Sequence, residues 1–380
     1  MEDVLLSGRS LTIGLDAHAL AAVGTGNYSY IRGLLEGLSK VDHENNYLLY
    51  DGTAPPSADN RSGKNFRARD LRLHFALARN FVSIPVAQRL DRLDIFHGQF
   101  FLPRGLNCQT VVSIHDLCFE HYPEFFRPSE RLFLPRLIRA AARRANRILT
   151  LSEFSRQDIA QRYQVDARKI HVVQPGIEPH FKPLRDSAIL KATQARYALP
   201  EAFILFFGRT DPRKGVDALI KAYQKLLAQS EITQQLIIAG RAGSADNELR
   251  ASVRARGLET RVRFIGIVPD QDLPAIISAA DLVVYPSIFE GFGLPALEAM
   301  ACGTPVITTN ASSLPEVMGD AGLMFEPGNV DALASIIKRL LDSESARCEA
   351  AAVGFARAQT FSWTRSARQV LKVYETITAT

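Results

Sequence analysis

Short apolar runs rich in β-branched residues recur along the chain, and most end at glycine, proline or a polar residue. In the first half they are Leu11–Leu15, Asn46–Tyr50, Asp94–Gly98, Thr110–Leu117, Arg147–Leu151 and Ile170–Val173. In the second half they are Phe203–Phe207, Leu236–Gly240, Val262–Gly266, Leu282–Tyr285 and Pro305–Thr308. Such runs predict strands buried on both faces. Between them apolar residues keep helical spacing. Tyr28, Ile31, Leu34, Leu35 and Leu38 follow the first run, and Val216, Leu219, Ile220, Tyr223 and Leu227 follow Phe203–Phe207. A basic helix is predicted over roughly 128–146, a helix capped by Ser152 after Leu151, and a last helix from Trp363 to Ile377. Buried strands alternating with helices imply parallel sheets with right-handed crossovers. Residues 51–70 are polar, contain Pro55-Pro56, and read as a loop. Gln174–Pro183 is rich in proline and glycine without any period, which is the composition of an interdomain linker. The fold class is therefore α/β, with two doubly wound domains.

Composition narrows the class. The chain has 380 residues, 47% hydrophobic and 22% charged, which suits two ordinary soluble globular domains. No apolar stretch reaches the ~18 residues of a membrane span, and the N-terminus lacks the basic flank and apolar core of a secretory signal. Cys108, Cys118, Cys302 and Cys348 have neither metal-ligand spacing nor disulfide density, so a reduced, cytoplasmic compartment is expected. Net charge is +5, and residues 1–180 hold 23 Lys and Arg against 19 Asp and Glu. The excess concentrates at Arg61, Lys64, Arg67, Arg69 and Arg72 and at Arg131, Arg136, Arg139, Arg143, Arg144 and Arg147. No nucleic-acid motif accompanies it. Either an anionic acceptor or membrane surface meets this face, or it is merely solvated.

The candidate chemistry centres on Ser287–Met300. After the run Leu282–Tyr285, Pro286 ends the strand, and Gly291 and Gly293 permit a tight turn. Leu294-Pro295 opens a helix. Unpaired N–H groups and the helix dipole make such a junction an anion site. It also carries two carboxylates, Glu290 and Glu298. A ligand with phosphates and hydroxyls together, such as a nucleotide sugar, suits both. On the loop after Phe207, Arg209 and Lys214 supply fixed positive charge for a diphosphate leaving group, and Arg213 stands third among the three. Asp270-Gln-Asp272 is the one Asp-x-Asp triplet, and its place before Leu273-Pro274 reads as a helix N-cap and first turn rather than a metal site. No metal or cofactor is expected.

The stretch EGFGLPALEAMACGTPVI, with its strand before and Pro305-Val-Ile after, resembles the group-1 (family 4) retaining glycosyltransferases of the GT-B fold. GTGNYSYIRGLL, SIHDL and YPE make it most similar to bacterial mannosyltransferases of surface-polysaccharide assembly. The resemblance implies two Rossmann-like domains facing across a cleft: 1–178, joined by a last helix of about 364–380 crossing back, and 179–363. It implies a hexosyltransferase that moves a sugar, mannose favoured, from a nucleoside diphosphate sugar to a glycan or lipid-linked acceptor. The donor would be GDP-mannose, UDP-glucose or another nucleotide sugar. Arg209 and Lys214 would hold the diphosphate and Glu298 the ribose diol. Glu290 would face the transferred sugar, with N–H groups of Gly291, Phe292, Gly293 and Leu294 beside it. Gly266 and Ile267 would hold the base. Gly24, Thr25 and Gly26 would approach the β-phosphate and acceptor, and His115 the donor sugar and reacting centre. Asp16 and Asp116 are acceptor-side candidates. Peripheral attachment at the inner face of the membrane would use the basic first domain. A nucleotide-sugar 2-epimerase of the same fold and a non-catalytic nucleotide-sugar-binding protein are the alternatives. An NAD enzyme is disfavoured because Ser29 stands where the third glycine of the fingerprint belongs.

Overall fold

A computed structural model describes residues 9–51, 65–71 and 79–378. The chain divides into two compact units, Met1–Gly176 with Ser362–Thr380, and Ile177–Phe361.

The first unit holds a seven-stranded, wholly parallel sheet: β1 (Thr12–Asp16), β2 (Asn46–Asp51), β3 (Phe66–Asp70), β4 (Ile95–Gln99), β5 (Gln109–Ser113), β6 (Arg147–Thr150) and β7 (Ile170–Val172). Their order is β3-β2-β1-β4-β5-β6-β7. Order reverses at β1, whose neighbours are β2 and β4. At such a switch point the loops leaving the strands part and leave room for a ligand. The helix Gly26–Val41 follows β1, with Thr25 Oγ1 accepting the Tyr28 N–H as its N-cap. The last helix, Trp363–Thr378, packs on it within this unit. Trp363, Ser366, Ala367, Val370, Val373, Tyr374 and Ile377 form its buried stripe. The fit is close: a Cβ at Gly33 would lie 2.0 Å from the Trp363 ring.

The second unit has six parallel strands: β8 (Phe203–Phe207), β9 (Gln235–Ala239), β10 (Val262–Gly266), β11 (Leu282–Tyr285), β12 (Val306–Thr309) and β13 (Leu323–Phe325). They are ordered β10-β9-β8-β11-β12-β13. β8 and β11 are buried along their whole length, as unbroken apolar runs between two helix layers should be.

Two points differ from the pattern reading. The polar stretch before residue 71 is not all loop, since Phe66–Asp70 is a strand. Among the described residues it pairs only with β2, so its outer edge tolerates the exposed Arg67, while Phe66 stacks on Tyr47 with ring centroids 4.4 Å apart. Asp272 occupies the N-cap of the helix Leu273–Ala279, but its carboxylate makes no capping bond. Arg196 (2.9 Å) and Tyr197 (2.6 Å) take it instead, because a charge-assisted pair outcompetes a cap. Arg61, Lys64, Arg72 and Pro55-Pro56 lie outside the described residues. The four cysteines are free. Among the described residues no helix is long and apolar enough to cross a membrane.

Candidate functional site

In the second unit β8 and β11 are neighbours, so the loops leaving their carboxyl ends meet. Gly215 makes this approach feasible. It sits at φ +68°, and a Cβ there would lie 2.1 Å from the Pro286 carbonyl oxygen. Ile288 N–H then bonds the Arg213 carbonyl at 2.8 Å, tying one loop to the other.

Glu290 is the centre of this junction. Its Oε1 accepts from Lys214 Nζ (2.5 Å), Tyr285 Oη (2.8 Å) and Ser287 Oγ (2.5 Å), and its Oε2 accepts from Arg213 Nη1 (3.2 Å). Lys214 Nζ also donates to Tyr285 Oη at 2.5 Å. Burial alone would raise the Glu290 carboxyl, but the Lys214 and Arg213 charges override it and hold the group at about 2. Glu290 is therefore an ionised carboxylate saturated with donors, fixing Lys214 and Arg213 in place. Arg209 stands apart from it. Its half-exposed guanidinium pairs with Asp211 at 2.9 Å.

Next to this cluster the helix Leu294–Ala301 begins at Gly293, φ +113°. The backbone N–H groups of Gly291, Phe292, Gly293 and Leu294 make no hydrogen bond among the described residues. They are the open donors that a helix N-terminus presents to an anion. Glu298 lies on the same helix, partly buried, and its carboxylate has no hydrogen-bond partner among the described residues. Burial, then the negative charges of Glu178 and Asp270, push it up to about 8. An unpartnered acceptor of this kind gains most from hydroxyl donors. Gly266 ends β10 at φ +74°, and Ile267 beside it is 65% exposed.

In the first unit His115 follows β5 and is buried. Asn27 Oδ1 lies 3.0 Å from its Nδ1. An amide oxygen has no proton to give, so Nδ1 carries it and Nε2 presents a lone pair. That Nε2 is buried and unpartnered. Burial, with His97 nearby, lowers the imidazole to about 3, so the ring is neutral. Tyr30 and Phe100 hold it edge-on, with centroids 4.5 and 5.0 Å away. Gly24 sits at φ +79° before the helix, and the N–H groups of Gly24, Thr25 and Gly26 are undonated among the described residues. A Cβ on Gly26 would meet nothing, so its surroundings are open. Asp16 is engaged by Arg79 and by His18 Nδ1 (2.8 Å). Burial opposes its ionisation, but the His18 and Arg79 contacts win and hold it near 2. Asp116 accepts the Cys118 N–H at 2.9 Å.

Tyr285, Ser287 and Asn27 join these groups without having been singled out by sequence. Tyr285 and Ser287 flank the Pro286 strand end in the motif itself, and Asn27 directly follows the glycine turn, so their positions were the available signal.

A family model described as glycosyl transferases group 1 matches residues 192–354, and one described as Glycosyltransferase Family 4 matches residues 28–181. The chain is 36% identical over 283 residues to O-antigen chain mannosyltransferase B of Escherichia coli, covering 74% of each protein. Among solved structures it resembles a sucrose-phosphate synthase of Thermosynechococcus elongatus, with a TM-score of 0.80 at 22% identity over 98% of this chain and 100% of that one. It also resembles Anabaena Alr3699/HepE in complex with UDP-glucose, with a TM-score of 0.73 at 22% identity over 95% and 98%.

Proposed function

The chain belongs to the group 1, family 4 glycosyltransferases, a hexosyltransferase of GT-B fold, and on that premise we propose that it transfers mannose from GDP-mannose to a glycan or lipid-linked acceptor in surface-polysaccharide assembly. The observation that carries the reading is the Lys214–Glu290–Arg213 cluster beside four open backbone donors at the start of the helix Leu294–Ala301. Fixed positive charge and N–H groups at one place suit a diphosphate leaving group. Its charge is neutralised by the protein itself, so transfer proceeds without a metal. Mannose is supported by the O-antigen mannosyltransferase relative.

In this reading the bond between the anomeric carbon and the β-phosphate oxygen breaks, and the electron pair leaves with GDP. The acceptor oxygen bonds the anomeric carbon on the same face, retaining configuration, and its proton passes to the departing phosphate. Lys214 and Arg213, with Arg209 nearby in sequence, stabilise the diphosphate. Glu290 aligns the two cations and stands next to the developing positive charge of the sugar. Glu298 takes the ribose diol, and Gly266 and Ile267 flank the base. His115 accepts from a hydroxyl of the transferred sugar, and Gly24–Gly26 approach the β-phosphate. Asp16 and Asp116 remain on the acceptor side.

Contact with an anionic membrane is part of the same proposal. The helix Pro128–Arg144 leaves Leu132, Phe133 and Leu137 exposed beside Arg131, Arg136 and Arg139, an apolar and basic mixture that suits such a surface.

The test is direct transfer. Purified protein is given GDP-mannose, UDP-glucose or ADP-glucose with mannose-terminated oligosaccharides, with and without EDTA, and products are read by mass and NMR. Mannosyl product of the donor's own anomeric configuration, formed equally in EDTA, is expected. Transfer from another donor, inversion, or loss of product in EDTA would each overturn the corresponding part.

A further inference from the structure

The carboxyl end of β4 carries a strained turn whose Phe100 and Phe101 pack against the core of the first unit. The Phe101 N–H bonds back to the Gln99 carbonyl at 2.7 Å, and Phe100 between them sits at φ +60°. This is a γ-turn with a large side chain at a positive φ, an arrangement that persists only where the surroundings impose it and that gathers at functional sites. Gly98 makes it fit, since a Cβ there would lie 2.3 Å from the Phe101 carbonyl oxygen. The turn lays the Phe100 ring against His115 at a centroid distance of 5.0 Å.

Gln99 is 3% exposed, and neither end of its amide has a partner. In the β4–β5 ladder it sits opposite Ser113, two residues before His115. Ser113 Oγ and His97 Nε2 are 2.8 Å apart, and the Tyr30 hydroxyl reaches the same serine at 3.3 Å. Residues two apart on a strand share a face. Gln99 therefore projects on the face that carries His97, Ser113, Tyr30 and His115. His115 Nε2, too, is buried and unpartnered. An amide that can donate and accept, on the same face as an imidazole lone pair, matches a hydroxyl group, which does both. A buried amide left without any bond is costly, and native proteins rarely keep one without a use.

We propose that Gln99, with Phe100 as its cover, forms a subsite for a hydroxyl group of the transferred sugar beside His115. The inference rests on the transferase reading above.

The experiment titrates wild type, Gln99→Ala and Gln99→Met calorimetrically with GDP and with GDP-mannose, and with UDP and UDP-glucose. Gln99 would touch only the sugar. Both variants should keep wild-type affinity for the nucleoside diphosphate and lose about tenfold for the intact sugar nucleotide, the worth of one good hydrogen bond. Gln99→Met should also melt at or above the wild-type temperature, because an unsatisfied amide is replaced by an apolar chain of similar shape. Equal losses for both ligands, or none for either, would overturn the subsite. So would a Gln99→Met variant melting well below wild type, which would mark the amide as structural. If wild type binds nucleoside diphosphates but no variant changes the ratio, the subsite alone fails. If wild type binds none of the four ligands, the transferase reading fails and takes the subsite with it.

Discussion

The carboxyl edges of the two sheets hold their polar groups in opposite states. At the edge of β8 and β11 the groups are charged and matched: Lys214, Arg213, Tyr285 and Ser287 all converge on Glu290. At the edge of β4 and β5 they are neutral and partly unmatched, with His115 Nε2 and both ends of the Gln99 amide lacking partners. Physical chemistry dictates the difference. A buried ion without a counter-ion costs several kcal/mol, so the buried cations of this edge are held together with an anion. A neutral acceptor left open costs much less and can wait for a hydroxyl. The charged member of the β1 edge obeys the same rule, since Asp16 is paired with Arg79 and His18. Glu298 is the exception in the second unit. It has a carboxylate but no cation, and it is pushed up to about 8, toward the neutral form.

Breaking the matched edge should have the largest effect. Lys214→Met strips Glu290 of its closest cation and should cost about 3–5 kcal/mol in urea unfolding, together with most of the turnover. Adding Glu290→Gln should restore most of the stability and none of the turnover. A single variant losing under ~1 kcal/mol would show that the pairing is not what holds this edge.

Glu298 sharpens the contrast through pH. Its folded-state pKa of about 8 lies above the ordinary 4.5, so as pH rises the unfolded chain sheds the proton first. The contribution favours folding most below about 4.5 and is lost progressively up to about 8. Glu298→Gln should therefore match wild type near pH 4.5 and exceed it by about 4 kcal/mol at pH 8, while weakening nucleoside diphosphate binding. Parallel stability curves for the two proteins from pH 4.5 to 8 would contradict this.

At the neutral edge, His115→Ala should lower turnover about tenfold, the loss of one hydrogen bond in the transition state. The imidazole, held near 3, does not titrate between pH 5 and 8. Wild type and variant should then share the same acid limb in their pH–rate profiles, and a limb that vanishes in the variant would refute a neutral His115. The smallest effect belongs to Tyr374→Phe, which removes the 2.6 Å bond to His97 Nδ1 and should cost about 1 kcal/mol in unfolding.

Much of this architecture was legible because buried parallel strands write themselves as β-branched runs ending at glycine or proline, as Phe203–Phe207 and Leu282–Tyr285 do. β3 was not, since an edge strand with Arg67 exposed needs no apolar run. β13, three residues long, is too short for any period to show. Within the site, the EGFG stretch and the basic loop after β8 stood out by residue type and by their place at strand ends, together with the family resemblance. Which arginine meets Glu290 could not be read, because both stand on one loop and only the short helical turn at Pro212–Lys214 carries Arg213 to Glu290, while Arg209 before it pairs with Asp211. The Phe100 turn was hidden for a different reason. Its positive φ goes against the residue's own preference, so no local propensity announces it.

The central claim is that the matched, charged edge receives a nucleoside diphosphate without a metal. Calorimetric titration of GDP, UDP and ADP into wild type and Lys214→Met, each in EDTA, tests it most directly. The account predicts binding of one nucleotide to wild type, unchanged by EDTA, and a loss of at least about a hundredfold in a Lys214→Met variant that is still folded by circular dichroism. Full affinity in that variant, or binding that EDTA abolishes, would contradict it.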